Sequence, residues 1–198
     1  MGLELEYTET QTSLDDEEKE GLLIRTITTR YELDEFEQQN IEKAIEWSML
    51  KKFTVEEILS EAFVKRLHKK MFDQTWRWAG EFRKTNKNIG VDKFRIGIEL
   101  RHLFDDCQFW IKNKVFSEDE IAIRFKHRMV NIHPFPNGNG RHSRLIADIL
   151  IEKGFEKPIF SWGGNILSSK SKSRSNYLKA LFAADLGDFT ALIQFARN

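Results

Sequence analysis

His133, Gly138, Asn139, Gly140, Arg141 and Arg144 fall within one run, His133-Pro134-Phe135-Pro136-Asn137-Gly138-Asn139-Gly140-Arg141-His142-Ser143-Arg144. Their types and spacing suit one kind of chemistry. His133 is a neutral imidazole near pH 7 and can take a proton from an incoming hydroxyl. Glycine lets a backbone approach a ligand closely, so Gly138-Asn139-Gly140 can offer a nest of amides to an anion. Arg141 and Arg144, three residues apart, are neighbours on one helical surface, and each planar guanidinium can bind two phosphate oxygens at once. A base beside an amide nest and paired arginines describes phosphoryl or nucleotidyl transfer from a polyphosphate.

Two helices must position these groups. Of the three prolines in the chain, Pro134 and Pro136 lie here, where neither neighbouring helix can continue. Before the run, Ile121, Phe125, Met129 and Ile132 recur at helical spacing within Ser117 to Ile132. After it, Leu145, Ile146, Ile149 and Leu150 do the same. The loop therefore delivers the chain into the N-terminus of a second, strongly apolar helix. There the unpaired amides and the positive end of the helix dipole favour an anion.

The run resembles the motif of the Fic (Fido) family, His-x-Phe-x-(Asp/Glu)-Gly-Asn-Gly-Arg-x-x-Arg, in its common form with Pro second. His133, Pro134, Phe135, Gly138, Asn139, Gly140, Arg141 and Arg144 match it. Trp78-Ala79-Gly80-Glu81-Phe82-Arg83 and the end of the chain are also Fic-like, and the subgroup called mobile mystery protein B is the most similar. The resemblance implies an all-α Fic fold of about seven helices around the motif-bearing one, with a small β-hairpin flap. It implies a protein adenylyltransferase that moves AMP from ATP to a Ser, Thr or Tyr hydroxyl of a target protein, using Mg²⁺ or Mn²⁺. His133 would be the general base, Gly138, Asn139 and Gly140 the anion hole, and Arg141 and Arg144 the phosphate grips. Pro134 and Phe135 would position the loop, and Tyr177 would contact adenine. Asn137 stands where the family places an acidic metal ligand, and brings a carbonyl oxygen but no charge. The other readings are a weak or degenerate nucleotide-binding or interaction module, and transfer of another nucleotide or of phosphate.

From Gly80 to Ile96 the helical pattern stops, and Asn86, Asn88 and Gly90 are turn residues. Weak alternation at Ile89, Val91, Phe94 and Ile96 allows a short hairpin, and from the residues alone a surface loop is an equal reading. The resemblance makes Asn88, Ile89, Gly90 and Val91 a flap that aligns the target. Many Fic proteins also carry an inhibitory motif, Ser/Thr-x-x-x-Glu-Gly/Asn, which neither Ser13 to Glu18 nor Thr28 to Leu33 satisfies. Glu37, on the first long helix, is the substitute expected to pair with Arg144. An antitoxin-like partner protein is the alternative.

The remaining residues bound the class. With 198 residues, 40% apolar and 31% charged, the chain suits one soluble domain. We divide it into an acidic N-terminal arm, 1–32, and the domain proper, 33–198. Net charge is zero, so neither nucleic acid nor an anionic membrane is an expected partner. No apolar run could span a bilayer, and the expected compartment is the cytoplasm. The single cysteine, Cys107, lies on an apolar face and reads as core. His127 and His142 read as structural rather than as zinc ligands with His133, since no zinc spacing accompanies them. Thr54 and Glu57 signal a helix start, as do Ser117 and Glu120.

Overall fold

The computed structural model describes residues 14–164 and 170–198, with backbone alone for 170–176. The residues of the N-terminal arm before residue 14, and the side chains of Lys170, Lys172 and Arg174, a basic cluster that could face nucleotide phosphates on sequence grounds, lie outside the described set. From residue 14 the arm packs on the domain. Its helix α1 (Asp16–Glu20) is closed by a capping box between Asp15 and Glu18. Behind α1, Leu23 N–H donates to Thr75 O and Arg77 N–H to Gly21 O, at 2.9 and 2.8 Å.

Helix α2 (Arg30–Met49) opens on a second capping box, Thr29 with Glu32. Next come α3 (Val55–Ile58) and α4 (Glu61–Phe72). The single helix expected after Thr54 is thus two. Thr54 caps only the four-residue α3, and Ser60 accepts from Phe63 N–H to start α4 afresh. Helices α5 (Ile96–Asn113) and α6 (Glu118–Ile132) lead to the motif loop. Beyond it lies α7 (Asn139–Ile149), which runs into a π-helical turn, Leu150–Gly154. Helices α8 (Lys170–Asp185) and α9 (Thr190–Arg197) close the chain.

Helix α7 is the hub. Leu145, Ile146, Ala147 and Ile149 are all buried, and a helix that hides so much of its circumference needs neighbours on more than one side. It packs against α6 and α4, α6 in turn against α5 and α9, and α4 against α2. Each fully buried Leu, Ile or Phe in these interfaces contributes about 1.5–3 kcal/mol of transfer free energy. Cys107 is among the core residues, and burial pushes its thiol up to about 12. No described helix is long and apolar enough to cross a membrane.

The fold is all-α, but the expected β-hairpin flap is absent. The described residues contain no strand, only one isolated antiparallel bridge between Leu22 and Trp76. The backbone between Gly80 and Ile96 bonds to side chains instead of to a partner strand. The Arg83 guanidinium donates to the carbonyls of Thr85 and Val91, and Lys93 N–H donates to Asn86 Oδ1. With those groups satisfied, a ladder has no donors and acceptors to use, and the segment ends in a 3-10 turn, Lys93–Arg95.

Candidate active site

His133 ends α6 in the left-handed conformation, with φ 54°. That region is uncommon outside glycine and persists where surrounding contacts enforce it. Arg83 supplies them. Its Nε donates to His133 O at 2.7 Å and its backbone N–H to Pro134 O at 2.9 Å. The same guanidinium reaches Val91 O, and Val91 N–H donates to Ile132 O at 3.3 Å. Gly90 therefore runs hard against His133. A Cβ there would lie 2.6 Å from His133 Cβ, and its φ of +100° is closed to other residues without strain. Burial holds His133 down to about 4, with Arg83 and Lys87 acting in the same direction and a backbone bond at Val130 opposing them. The imidazole is neutral across the physiological range.

The loop itself is pinned from inside. Phe135 is fully buried and stacks on His68, with ring centroids 3.7 Å apart. Asn139 closes the loop with its side chain, accepting from Phe135 N–H at 3.0 Å and donating to Phe135 O at 2.7 Å. Gly80 N–H donates to His68 Nδ1 at 3.0 Å, so Nε2 carries the ring proton and donates to Asn137 O at 3.1 Å. Gly138 enters α7 at φ +76°, and a Cβ on it would meet Phe72 Cζ at 2.4 Å.

Around this loop lies a cleft of about 630 Å³, a size that suits a small-molecule ligand. His133, Gly138, Asn139, Gly140, Arg141 and Arg144 all line it, as do Asn137, Ile89 and Tyr177. Gly138 N–H is taken by Asn137 Oδ1 at 2.7 Å. The amides of Asn139, Gly140 and Arg141, in the first turn of α7, lack partners within their helix and face the positive end of its dipole. Of the flap positions, only Ile89 reaches the cleft lining, with Asn88 and Gly90 exposed beside it and Val91 half-buried.

Glu37 is completely buried at the same site, with a partner other than the expected one. Its Oε2 lies 2.6 Å from Arg141 Nη2, while Oε1 accepts from Trp76 Nε1 at 2.6 Å. The carboxylate is thus paired with the first motif arginine and not with Arg144. Asn137 Nδ2 points at the same carboxylate, 3.4 Å from Oε1. Asn137 brings a cation no charge, and its oxygen also accepts from Gly138 N–H. No described group of three or more acidic, His or Cys side chains could hold an ion. The residues present do not fit a resident divalent cation.

His142 and His127 stand apart from the cleft. His142 is fully buried with Nε2 3.0 Å from Val64 O, and His127 Nε2 lies 2.8 Å from Asp185. Sequence reasoning missed Arg30, Asp34 and Gln38, which bring α2 into the cleft lining. Their signal is a polar stripe at i, i+4 and i+8, continued by the pairing of Arg30 with Asp34 at 2.9 Å. It also gave no role to Arg83, and none at all to His68.

Residues 58–151 match the model of the Fic/DOC family. The protein adenylyltransferase Fic of Aedes aegypti is 27% identical over 119 residues, covering 59% of this chain and 22% of that protein. That of Drosophila grimshawi is 27% identical over the same length, 59% of this chain and 23% of its own. The chain spans between a fifth and a quarter of the length of these relatives. Among solved structures, Fic-1 from C. elegans superposes with a TM-score of 0.66 at 20% identity, over 90% of this chain and 51% of that one. BepC from Bartonella tribocorum, solved with bound AMPPNP, gives 0.63 at 17% identity, over 87% and 88%. At such identities these two superpositions speak for the fold alone.

Proposed function

Since the chain belongs to the Fic/DOC family, whose domain occupies residues 58–151, we propose that it is a protein adenylyltransferase using ATP. The observation that carries this reading is the convergence of a neutral buried imidazole, the first turn of α7 and two arginines on one cleft. In the proposed reaction His133 accepts the proton of a Ser, Thr or Tyr hydroxyl as its oxygen attacks the α-phosphorus of ATP. The bond from that phosphorus to the bridging oxygen breaks, pyrophosphate leaves with the electron pair, and AMP remains on the target. The amides of α7 and the two guanidinium groups offset the charge that gathers on the phosphate oxygens. Ile89 and its loop neighbours Asn88, Gly90 and Val91 form the wall against which the target's hydroxyl-bearing segment lies, and Tyr177 faces the base of the nucleotide.

The resting site favours restraint. Glu37 neutralises Arg141, so the nucleotide must displace that carboxylate or bind with Arg144 alone. This pairing is an internal alternative to an antitoxin-like inhibitor protein. A second reading, a nucleotide-binding module with little turnover, is favoured by the orientation of Asn137, whose oxygen faces Gly138 N–H rather than the cleft.

The test is transfer of label from α-labelled ATP, with GTP, UTP and CTP beside it, to the protein itself or to proteins of a bacterial lysate, in wild type, Glu37→Gln and His133→Ala. Label that appears with Glu37→Gln and vanishes when His133→Ala is added supports nucleotidyl transfer. Absence of label in every variant, with ATP binding intact, overturns it in favour of the module.

A further inference from the structure

The two motif arginines are held in different ways. Arg141 has a carboxylate at 2.6 Å. No ion pair among the described residues reaches Arg144, which lies against rings instead. Its Cζ is 5.1 Å from the centroid of the Tyr177 ring and 5.7 Å from that of Trp162. Both are within cation–π range. The Tyr177 hydroxyl also accepts a hydrogen bond from this guanidinium, and the ring contacts orient the group while leaving its other N–H groups able to donate elsewhere.

Each ring is fixed in turn by a charged side chain behind it. Trp162 Nε1 donates to both carboxylate oxygens of Asp148, at 3.1 and 2.9 Å, and the same carboxylate accepts from Phe160 N–H. Lys126, on α6, is completely buried and donates from Nζ to Tyr177 Oη at 2.6 Å. A lysine in such a place is expensive for the fold, because its partner is a phenol and not a carboxylate. Burial accordingly pushes the Lys126 ammonium down, with Tyr177 opposing and Arg144 adding to the push. Burial alone would raise the Tyr177 hydroxyl, but Lys126 and Arg144 outweigh it and the net shift is downward. Lys126, Tyr177 and Arg144 thus form one coupled unit reaching from the interior of α6 to the cleft.

We propose that Lys126 is a positioning residue for Arg144: through the Tyr177 hydroxyl it fixes the ring that, with Trp162, holds the guanidinium ready for a nucleotide phosphate. With a phosphate bound, Arg144 meets it without first breaking an ion pair. The inference rests on the reading that Arg144 grips a phosphate of ATP.

Isothermal titration of the full chain with ATP, in a cycle of Arg144→Ala, Lys126→Met and the double variant, tests it. Arg144→Ala weakens ATP binding. Lys126→Met weakens it about fivefold, the scale of one cation–π contact, and adds nothing once Arg144 is gone. Its melting temperature does not fall, since an apolar side chain of similar length removes a buried charge. A purely structural lysine would give the opposite pattern, a lower melting temperature with equal weakening in both backgrounds. That result overturns the inference, as does unchanged affinity in Lys126→Met. If Lys126→Met fails to fold, Tyr177→Phe in the same cycle replaces it, keeping the ring while cutting its tie to Lys126, with the same expected loss confined to the Arg144 background. Unaltered ATP binding in Arg144→Ala sinks the phosphate reading along with the inference. A loss there, with an independent loss from Lys126→Met, sinks the inference alone.

Discussion

Replacing Glu37 with Gln removes one charge and almost nothing else. The amide oxygen can still accept from Trp76 Nε1, a fully buried bond of 2.6 Å. What disappears is the charge opposite Arg141, whose side chain is 35% exposed. The contact is an ion pair without a hydrogen bond to Glu37 Oε2, and with Glu37 buried but Arg141 partly exposed it contributes about 1–2 kcal/mol after screening. If a phosphate must displace that carboxylate, Glu37→Gln tightens ATP binding by about 5- to 30-fold. Titration calorimetry at fixed ionic strength measures this directly. Glu37→Ala is the internal control: it also leaves Trp76 Nε1 without a partner, a loss of about 1–3 kcal/mol. For a chain of this size that corresponds to a melting temperature lower by about 3–10 °C, whereas Glu37→Gln should fall within about 3 °C of wild type. Unchanged or weaker ATP binding in a folded Glu37→Gln protein refutes the idea that this carboxylate restrains the site.

The other expectations concern the loop and its histidines. Gly138→Ala forces a Cβ to 2.4 Å from Phe72 at a positive φ, which costs about 1–3 kcal/mol and lowers the melting temperature measured by circular dichroism. Asn137→Asp sets a second carboxylate 3.4 Å from Glu37. Like charges at that range raise the pKa of the pair in the folded chain, so the variant is less stable than wild type at pH 7.5 and the difference narrows toward pH 4 in thermal melts. Burial lowers His133 and His142 from 6.5 to about 4 and His68 well below its ordinary value. The unfolded chain therefore binds protons first, and stability falls as pH drops through 6.5, by about 3 kcal/mol for His142 on reaching pH 4. Asp148, raised by burial to about 6, works the other way between pH 6 and 4 and returns part of that loss. Denaturant melts from pH 8 to 4 that show no net decline would contradict the three histidine assignments together.

The motif loop and its flanking helices were legible because the signals are local. Prolines and glycines interrupt two apolar stripes, and the stripes of α6 and α7 are buried as their spacing requires. Glu37 could be named as a substitute for the inhibitory acid but not paired correctly, since the choice between Arg141 and Arg144 depends on the rotation of α2 against α7. The hairpin failed for a different reason. Alternation at Ile89, Val91, Phe94 and Ile96 says nothing about Arg83, whose guanidinium takes the carbonyls that a partner strand would have used. Lys126 left no mark at all, because a lysine in a helix normally reads as a solvated residue.

Arg83 also joins things that would otherwise move separately. One buried guanidinium holds the carbonyls of His133, Thr85 and Val91, so the base, the turn that follows Arg83 and the segment beside Ile89 behave as one lever with a single pivot. A polypeptide that presses on the segment presses on the imidazole as well. Under the proposed function, target fit and base alignment then cannot vary independently, and a target that seats badly is penalised twice, in how long it stays and in how well its hydroxyl is served.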